Sequence, residues 1–100
     1  MFSVETNDKD TVVEAMLSGR LDVKAAKEAD EAFLAIASQG KDVVLDMSDL
    51  VYIASAGLRA LKRLRVAVRE NGKTVTLRNV QEDVMDILEM TGFAAMFSFE

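Results

Sequence analysis

One serine stands where a buried strand gives way to a helix, in the stretch Asp46–Leu61. A small exposed hydroxyl at a helix start can be a nucleophile, a site of covalent modification, or a cap for the first helical turn. A nucleophilic Ser55 would need an activating base, but the chain has no histidine, no cysteine and no Gly-x-Ser-x-Gly turn. The residues therefore favour a helix cap or a modification site over a catalytic serine, and a lysine base is a minor alternative.

The pattern of apolar residues predicts a mixed α/β fold in the order ββαβαβα(β), a single mixed sheet of four to five strands flanked by helices. The predicted strands are Met1–Glu5, Thr11–Leu17, Asp42–Met47, Lys73–Arg78 and a final Met96–Phe99. The predicted helices are Val23–Ser38, Ser55–Glu70 and Val80–Met90.

Three local signals within this pattern carry expectations about the site. Ser18–Leu21 is expected to break the second strand, and Asp22 is expected to cap the first helix. The short apolar run Asp42–Met47 predicts a central strand buried on both faces, ended by Asp46 and followed by a loop.

Length and composition restrict the protein class. One hundred residues predict a single domain, 1–100, and half of them are apolar, which is enough for a modest core. The absence of cysteine and histidine removes disulfides and the commonest metal ligands, and it fits the cytoplasm. Met1–Asp10 has no apolar run, so it does not look like a signal peptide.

The net charge of −5 is unevenly distributed. Residues 59–78 carry +6 and the rest of the chain −11. A solvated helix face is the more ordinary interpretation of this basic segment; docking to an acidic partner, with Arg59 and Lys62 nearest Ser55, is the alternative. Nucleic-acid binding is disfavoured, because the patch is short and has no interleaved aromatic residues.

Several ordered blocks resemble the STAS domain family, the fold of bacterial anti-sigma factor antagonists and of the cytoplasmic tail of sulfate transporters. Leu17–Asp22 is similar to the family's L-x-G-x-L-D step from strand to helix. Val44–Ile53 resembles its hydrophobic-D-[LM]-S-x-[LV]-x-[FY]-[IM] block, and Ser55–Leu58 its [DS]-S-[STA]-G-[LI] phospho-acceptor turn. One position departs from the pattern: Ala54 stands where the family often has an acid.

The resemblance implies a STAS-like fold and an anti-sigma factor antagonist, a cytoplasmic binding protein rather than an enzyme. Such a protein sequesters an anti-sigma serine kinase with a histidine-kinase-like ATPase fold, and so regulates sigma-factor-dependent transcription. Phosphorylation of Ser55 would switch it off, and a metal-dependent serine phosphatase would reset it. The resemblance implies no cofactor, no bound metal, no direct contact with nucleic acid and no membrane insertion.

The same resemblance implies a partner-binding surface around the phosphorylation site. Its members are Asp22, Asp46, Ser48, Tyr52, Ala54, Ser55, Ala56, Gly57, Arg59 and Lys62.

Ordinary structural roles compete with partner contact at several of these positions. Capping is favoured for Asp22, and a strand-end cap is as good an interpretation of Asp46 as assistance to a partner. Ser48 is expected to shape the exit from the strand. Gly57 is expected to permit a tight turn and the close approach of a partner backbone.

A non-phosphorylated STAS scaffold subunit of a signalling or lipid-transport complex is the alternative function. That role needs no phosphorylation and tolerates Ala54.

Overall fold

The computed structural model describes residues 1–100 and contains one five-stranded sheet in the order β1-β2-β3-β4-β5. The strands are β1 Phe2–Asp8, β2 Val12–Leu21, β3 Asp42–Ile53, β4 Val75–Arg78 and β5 Ser98–Phe99. The helices are α1 Val23–Ala37, α2 Ser55–Glu70 and α3 Glu82–Met90, with a short 3-10 helix, Phe93–Met96, before β5. β1 is antiparallel to β2 and every later pair is parallel, which confirms the predicted element order.

All three helices cover the same face of the sheet. Strands that follow one another in sequence and in space, joined by right-handed crossovers, place every connecting helix on one side. Alternate residues of the parallel strands, such as Val43, Leu45 and Leu77, are accordingly fully buried in one core with residues of all three helices. No helix is both long and apolar enough to span a membrane.

The expectation that β3 is buried on both faces is wrong. Val43, Leu45 and Met47 are buried, whereas Val44 and Asp46 between them are only partly covered. The reason is the one-sided arrangement of the helices, which leaves the second face of the sheet uncovered.

The expected break in β2 at Ser18–Leu21 is also wrong. β2 continues through Gly19 to Leu21, paired with β3, with register shifts between Met16 and Ser18 and between Gly19 and Arg20. Gly19 has a φ of 87°, and a Cβ there would overlap the carbonyl of Met1. The glycine therefore keeps the strand going through a sharp local twist beside the β1 backbone.

β3 is likewise longer than expected. It runs to Ile53, so Asp46 does not end it and no loop precedes α2; Ala54 alone joins strand to helix. Extra residues on the β3 side accommodate the two register shifts as bulges. The β2–β3 pair consequently extends beyond β4, which ends at Arg78, level with Asp46.

The first turn of α2 presses against the end of β2. The Ala54 N–H donates to the Leu21 carbonyl at 2.9 Å. Gly57 is buried, and a Cβ there would lie 2.7 Å from both Cγ and O of Leu21 and 3.0 Å from Cγ1 of Ile53. The close approach permitted by Gly57 is thus to its own chain, not to a partner backbone as expected.

An ion-pair network centred on Arg78 occupies the uncovered face. Arg78 lies 3.2 Å from Glu14, 3.5 Å from Asp46 and 3.6 Å from Glu100. Hydrogen bonds from Lys9 and then Arg78 hold the pKa of Glu14 below its ordinary value of 4.5. The Ser48 N–H is the main cause that lowers the pKa of Asp46 below 3.8, with Arg78 contributing.

Gly57→Ala is expected to destabilise the fold by about 1–3 kcal/mol, because the added methyl meets backbone as well as side-chain atoms. Inside a helix the same change ordinarily stabilises by about 1 kcal/mol. The sign of the change in unfolding free energy therefore shows whether the close approach at Gly57 exists. Urea unfolding measures the difference, and Lys62→Ala on the solvent side of α2 is the control, expected within about 0.5 kcal/mol of wild type. A Gly57→Ala variant as stable as wild type would contradict the close approach.

Arg78→Gln is expected to lower Tm by about 2–5 °C at about pH 7, and by progressively less in acid as the pH falls through the folded-state pKa values of Glu14 and Asp46. The pKa values of Glu14 and Asp46 are lower in the folded than in the unfolded chain. Their stabilisation is therefore present above the unfolded values and is lost as the pH falls through the folded ones. Thermal unfolding followed by circular dichroism across this range, with Lys24→Gln as control, measures the effect. A Tm difference independent of pH would exclude the carboxylates as its source.

Candidate functional site at the start of α2

The carboxyl ends of β2 and β3 carry two helix starts side by side. Leu21 and Ile53 are paired in register, and α1 and α2 each begin two residues later, at Val23 and Ser55. Parallel strands deliver the following helices to one edge of a sheet, and this edge is where ligands and partners commonly bind in α/β folds.

Ser55 is the first residue of α2, not its cap. Ala54 occupies the N-cap position in extended conformation and makes no side-chain cap hydrogen bond. The helix cap, one of the two interpretations of Ser55 that the sequence left open, is therefore wrong by one residue. Its side chain is exposed, and its hydroxyl has no hydrogen bond to the chain, so capping does not explain the serine.

The surroundings of Ser55 suit an anion. The first backbone N–H groups of a helix have no intrahelical acceptor, and Ala54 supplies no side-chain oxygen for them. The helix dipole adds partial positive charge at the same end. A negative group on the Ser55 hydroxyl would meet free donors there.

Two of the predicted basic residues extend this positive character along α2. Arg59 and Lys62 lie four and seven residues after Ser55, on the same side of the helix, and both are exposed. Neither forms a salt bridge, whereas Arg63 on the neighbouring side is held by Asp30 of α1 through two hydrogen bonds of 3.0 and 2.7 Å. Ser55, Arg59 and Lys62 thus form one accessible stripe, called here the α2 stripe.

Asp22 and Tyr52 lie at the same edge but are engaged within the chain. Asp22 accepts a hydrogen bond from the Ala25 N–H at 2.9 Å, which confirms it as the cap of α1. The Tyr52 ring is half-buried beneath Arg20, whose guanidinium carbon lies 4.2 Å from the ring centroid. Ala54 and Ala56 are partly covered and add no polar group beside Ser55.

Asp46 and Ser48 lie lower on β3, away from the α2 stripe. Asp46 lies seven positions before the end of the strand at Ile53, on the order of 20 Å at the usual rise. The Asp46 carboxylate accepts from the Ser48 N–H at 3.0 Å, and the Ser48 carbonyl accepts from Gln81 at 2.6 Å. These contacts join β3 to the start of α3, and they do not bring Asp46 to Ser55.

Two exposed valines at this edge were not predicted as site residues. Val23 is 74% exposed beside Asp22, and Val51 is 50% exposed on the projecting end of β3. Val23 lies three residues before Ala26 and fourteen before Ala37, both buried, so helical spacing alone does not mark it as exposed. Val51 is an extra residue in a bulge, and no pattern in the sequence marks it.

Acidic side chains nowhere gather into a group that could hold a metal ion. What the edge offers is a free hydroxyl at a positive helix end, two accessible cations and two exposed valines.

Comparison with known proteins gives the family. A STAS domain model matches residues 2–100. The anti-sigma-B factor antagonist of Bacillus subtilis (strain 168) is 24% identical over 91 residues, covering 91% of this chain and 84% of that protein. BtrV of Bordetella bronchiseptica, named as a candidate anti-sigma factor antagonist, is 31% identical over 94 residues, covering 92% and 81%.

Solved structures show the same fold. An anti-sigma factor antagonist from Mycobacterium paratuberculosis has a TM-score of 0.84 at 23% identity, covering 99% of this chain and 85% of that one. The phosphorylated form of Bacillus SpoIIAA has a TM-score of 0.73 at 16% identity, covering 100% and 91%. The family model, the relatives and the fold agree along nearly the whole length: this chain belongs to the STAS domain family.

Proposed function

We propose that this protein is an anti-sigma factor antagonist that acts by binding and carries out no catalysis itself. Unphosphorylated, it sequesters an anti-sigma serine kinase of the histidine-kinase-like ATPase fold and frees a sigma factor in the cytoplasm. Phosphorylation of Ser55 releases the kinase, and a metal-dependent serine phosphatase restores the binding form. The names of the relatives from Bacillus subtilis and Bordetella bronchiseptica support the proposal that this protein is an anti-sigma factor antagonist.

The environment of the Ser55 hydroxyl is the observation that best supports a phosphorylation switch. This hydroxyl is exposed, makes no hydrogen bond within the chain, and lies at the positive end of a helix with no side-chain cap. A kinase can reach it, and no hydrogen bond of the fold is lost when it is modified.

The physics of release follows from the charge of the α2 stripe. A phosphate adds roughly −1.5 to −2 at neutral pH, enough to cancel the two positive charges of Arg59 and Lys62. An acidic partner surface attracted by those cations would then lose that attraction and face an anion. The positive helix end tolerates the phosphate, so release needs no refolding.

The partner-binding surface comprises the α2 stripe with Asp22, Tyr52, Ala54 and Ala56, and we add Val23 and Val51 to it. Exposed apolar side chains beside a charged stripe suit a partner that buries part of the edge. Asp46, Ser48 and Gly57 make contacts within the chain that stabilise the fold, and so support this surface indirectly.

Ala54 shapes the chemistry of modification. Without the acid often found here in the family, no carboxylate repels a phosphate at the adjacent position.

The alternative scaffold role predicts the same fold with Ser55 unmodified, and partner binding distinguishes the scaffold from the switch.

Ser55→Asp is expected to stabilise the fold by about 0.3–1 kcal/mol, because a carboxylate at the start of α2 complements the helix dipole. Ser55→Ala is expected to stay within about 0.5 kcal/mol of wild type, since the hydroxyl bonds to nothing. Urea unfolding measures both. A loss of about 1 kcal/mol on Ser55→Ala would instead show a capping role.

Ser55→Ala is expected to hold the anti-sigma kinase when used as bait in a lysate of the source cells, and Ser55→Asp to hold roughly tenfold less or none. Quantitative mass spectrometry of the bound proteins measures this. Gln39→Glu, one added charge beyond the far end of α1, is the control and should bind like wild type. A set of partners shared by both Ser55 baits and lacking a kinase would contradict the switch and support the scaffold.

A further inference from the structure

A positively charged cleft lies at the end of α2 opposite to Ser55. Its volume is about 490 Å³, and it is bounded by the last two turns of α2, the turn into β4 and the segment that leads into β5. Its principal lining residues are Arg65, Arg69, Lys73, Met96, Phe97 and Ser98.

The three cations of the cleft have no carboxylate partner. No acidic residue lines it, and Arg65, Arg69 and Lys73 form no salt bridge, unlike Arg63 and Arg78. Asp42, which accepts hydrogen bonds from Thr74, lies outside the lining. Arg65 and Arg69 are one helical turn apart, a spacing at which like charges repel. An anion between them would relieve that repulsion.

The dipole of α2 accounts for only one of these cations. A basic residue in the last turn of a helix is favoured by the carboxyl-terminal pole, which explains Arg69. Arg65 lies a turn earlier and is half-buried against the cleft, and Lys73 lies beyond the helix. All three line the same cavity, which the helix dipole alone does not explain.

The opposite wall of the cleft is apolar and carries one free hydroxyl. Ala95, Met96 and Phe97 line it, and Phe97 is 9% exposed, so it is held firmly in the core. Ser98 is exposed and makes no side-chain hydrogen bond. A bound molecule would meet charge on one side and a hydrocarbon surface on the other.

We propose that this cleft binds a small, soluble organic phosphate. Its phosphate lies between Arg65, Arg69 and Lys73, because guanidinium pairs and ammonium groups are the side chains that best bind phosphate oxygens. Its organic part rests on the Ala95–Phe97 wall. The site stands at the other end of α2 from Ser55, so it does not depend on the proposed switch.

The test is isothermal titration calorimetry with 1-naphthyl phosphate and with inorganic phosphate. Naphthyl phosphate is expected to bind more tightly, because its ring covers the apolar wall. The double variant Arg65→Gln, Arg69→Gln is expected to weaken binding roughly tenfold or more. Lys24→Gln, Lys27→Gln removes the same charge from α1, outside the cleft, and should change affinity less than about twofold. Circular dichroism confirms folding of each variant.

Several outcomes would overturn the proposal. Naphthyl phosphate failing to bind would do so, as would equal weakening in the two double variants, which marks a diffuse charge effect. If naphthyl phosphate bound no more tightly than inorganic phosphate, the proposed contact of the organic part with the apolar wall would be wrong. Binding to vesicles of phosphatidylglycerol without binding to naphthyl phosphate would assign the cations to a lipid surface instead. A Ser55→Ala variant should bind naphthyl phosphate as wild type does, whether or not the kinase switch operates.

Discussion

The contact between the first turn of α2 and the end of β2 fixes the geometry of the whole functional edge. The Ala54 N–H binds the Leu21 carbonyl, and Gly57 leaves room for the Leu21 side chain. Because only one residue lies between β3 and α2, the connection is too short to let the start of α2 shift relative to the strand. Ser55 is therefore held just beyond the contact, where the packing that buries Gly57 leaves its hydroxyl in solvent.

The one-sided sheet also supports the functional edge. Strands in sequential order place all helices on one face, so a single core supports both helix starts. The other face carries the ion pairs of Arg78 with Glu14 and Asp46. α2 joins two unlike ends, a positive helix start that bears Ser55 and a cationic cleft around Arg65 and Arg69. Each end has cations that no carboxylate of the chain neutralises, and for that reason each is a candidate for binding.

Sequence reasoning succeeded where a signal was local. Asp22 as cap and the bounds of α2 each depend on residues within a few turns. It failed where pairing between distant segments decided the outcome. Gly19 looked like a strand break, but the neighbouring β1 and β3 backbones hold it in a strand. The same pairing extends β3 to Ile53 through two bulges, so Ala54 alone, and not the expected loop, joins the strand to α2. The cleft was not predicted, because α2 and the segment before β5 meet only in three dimensions.

The central claim is that Ser55 carries a surface switch that leaves the fold unchanged. The most direct test compares ¹H–¹⁵N spectra of the protein with serine and with phosphoserine at position 55. We expect downfield shifts of the amide protons of Ser55, Ala56 and Gly57 as they meet the phosphate, and small changes elsewhere. Large shifts throughout the core, at residues such as Leu45 and Leu77, would show that phosphorylation refolds the domain and would contradict the account.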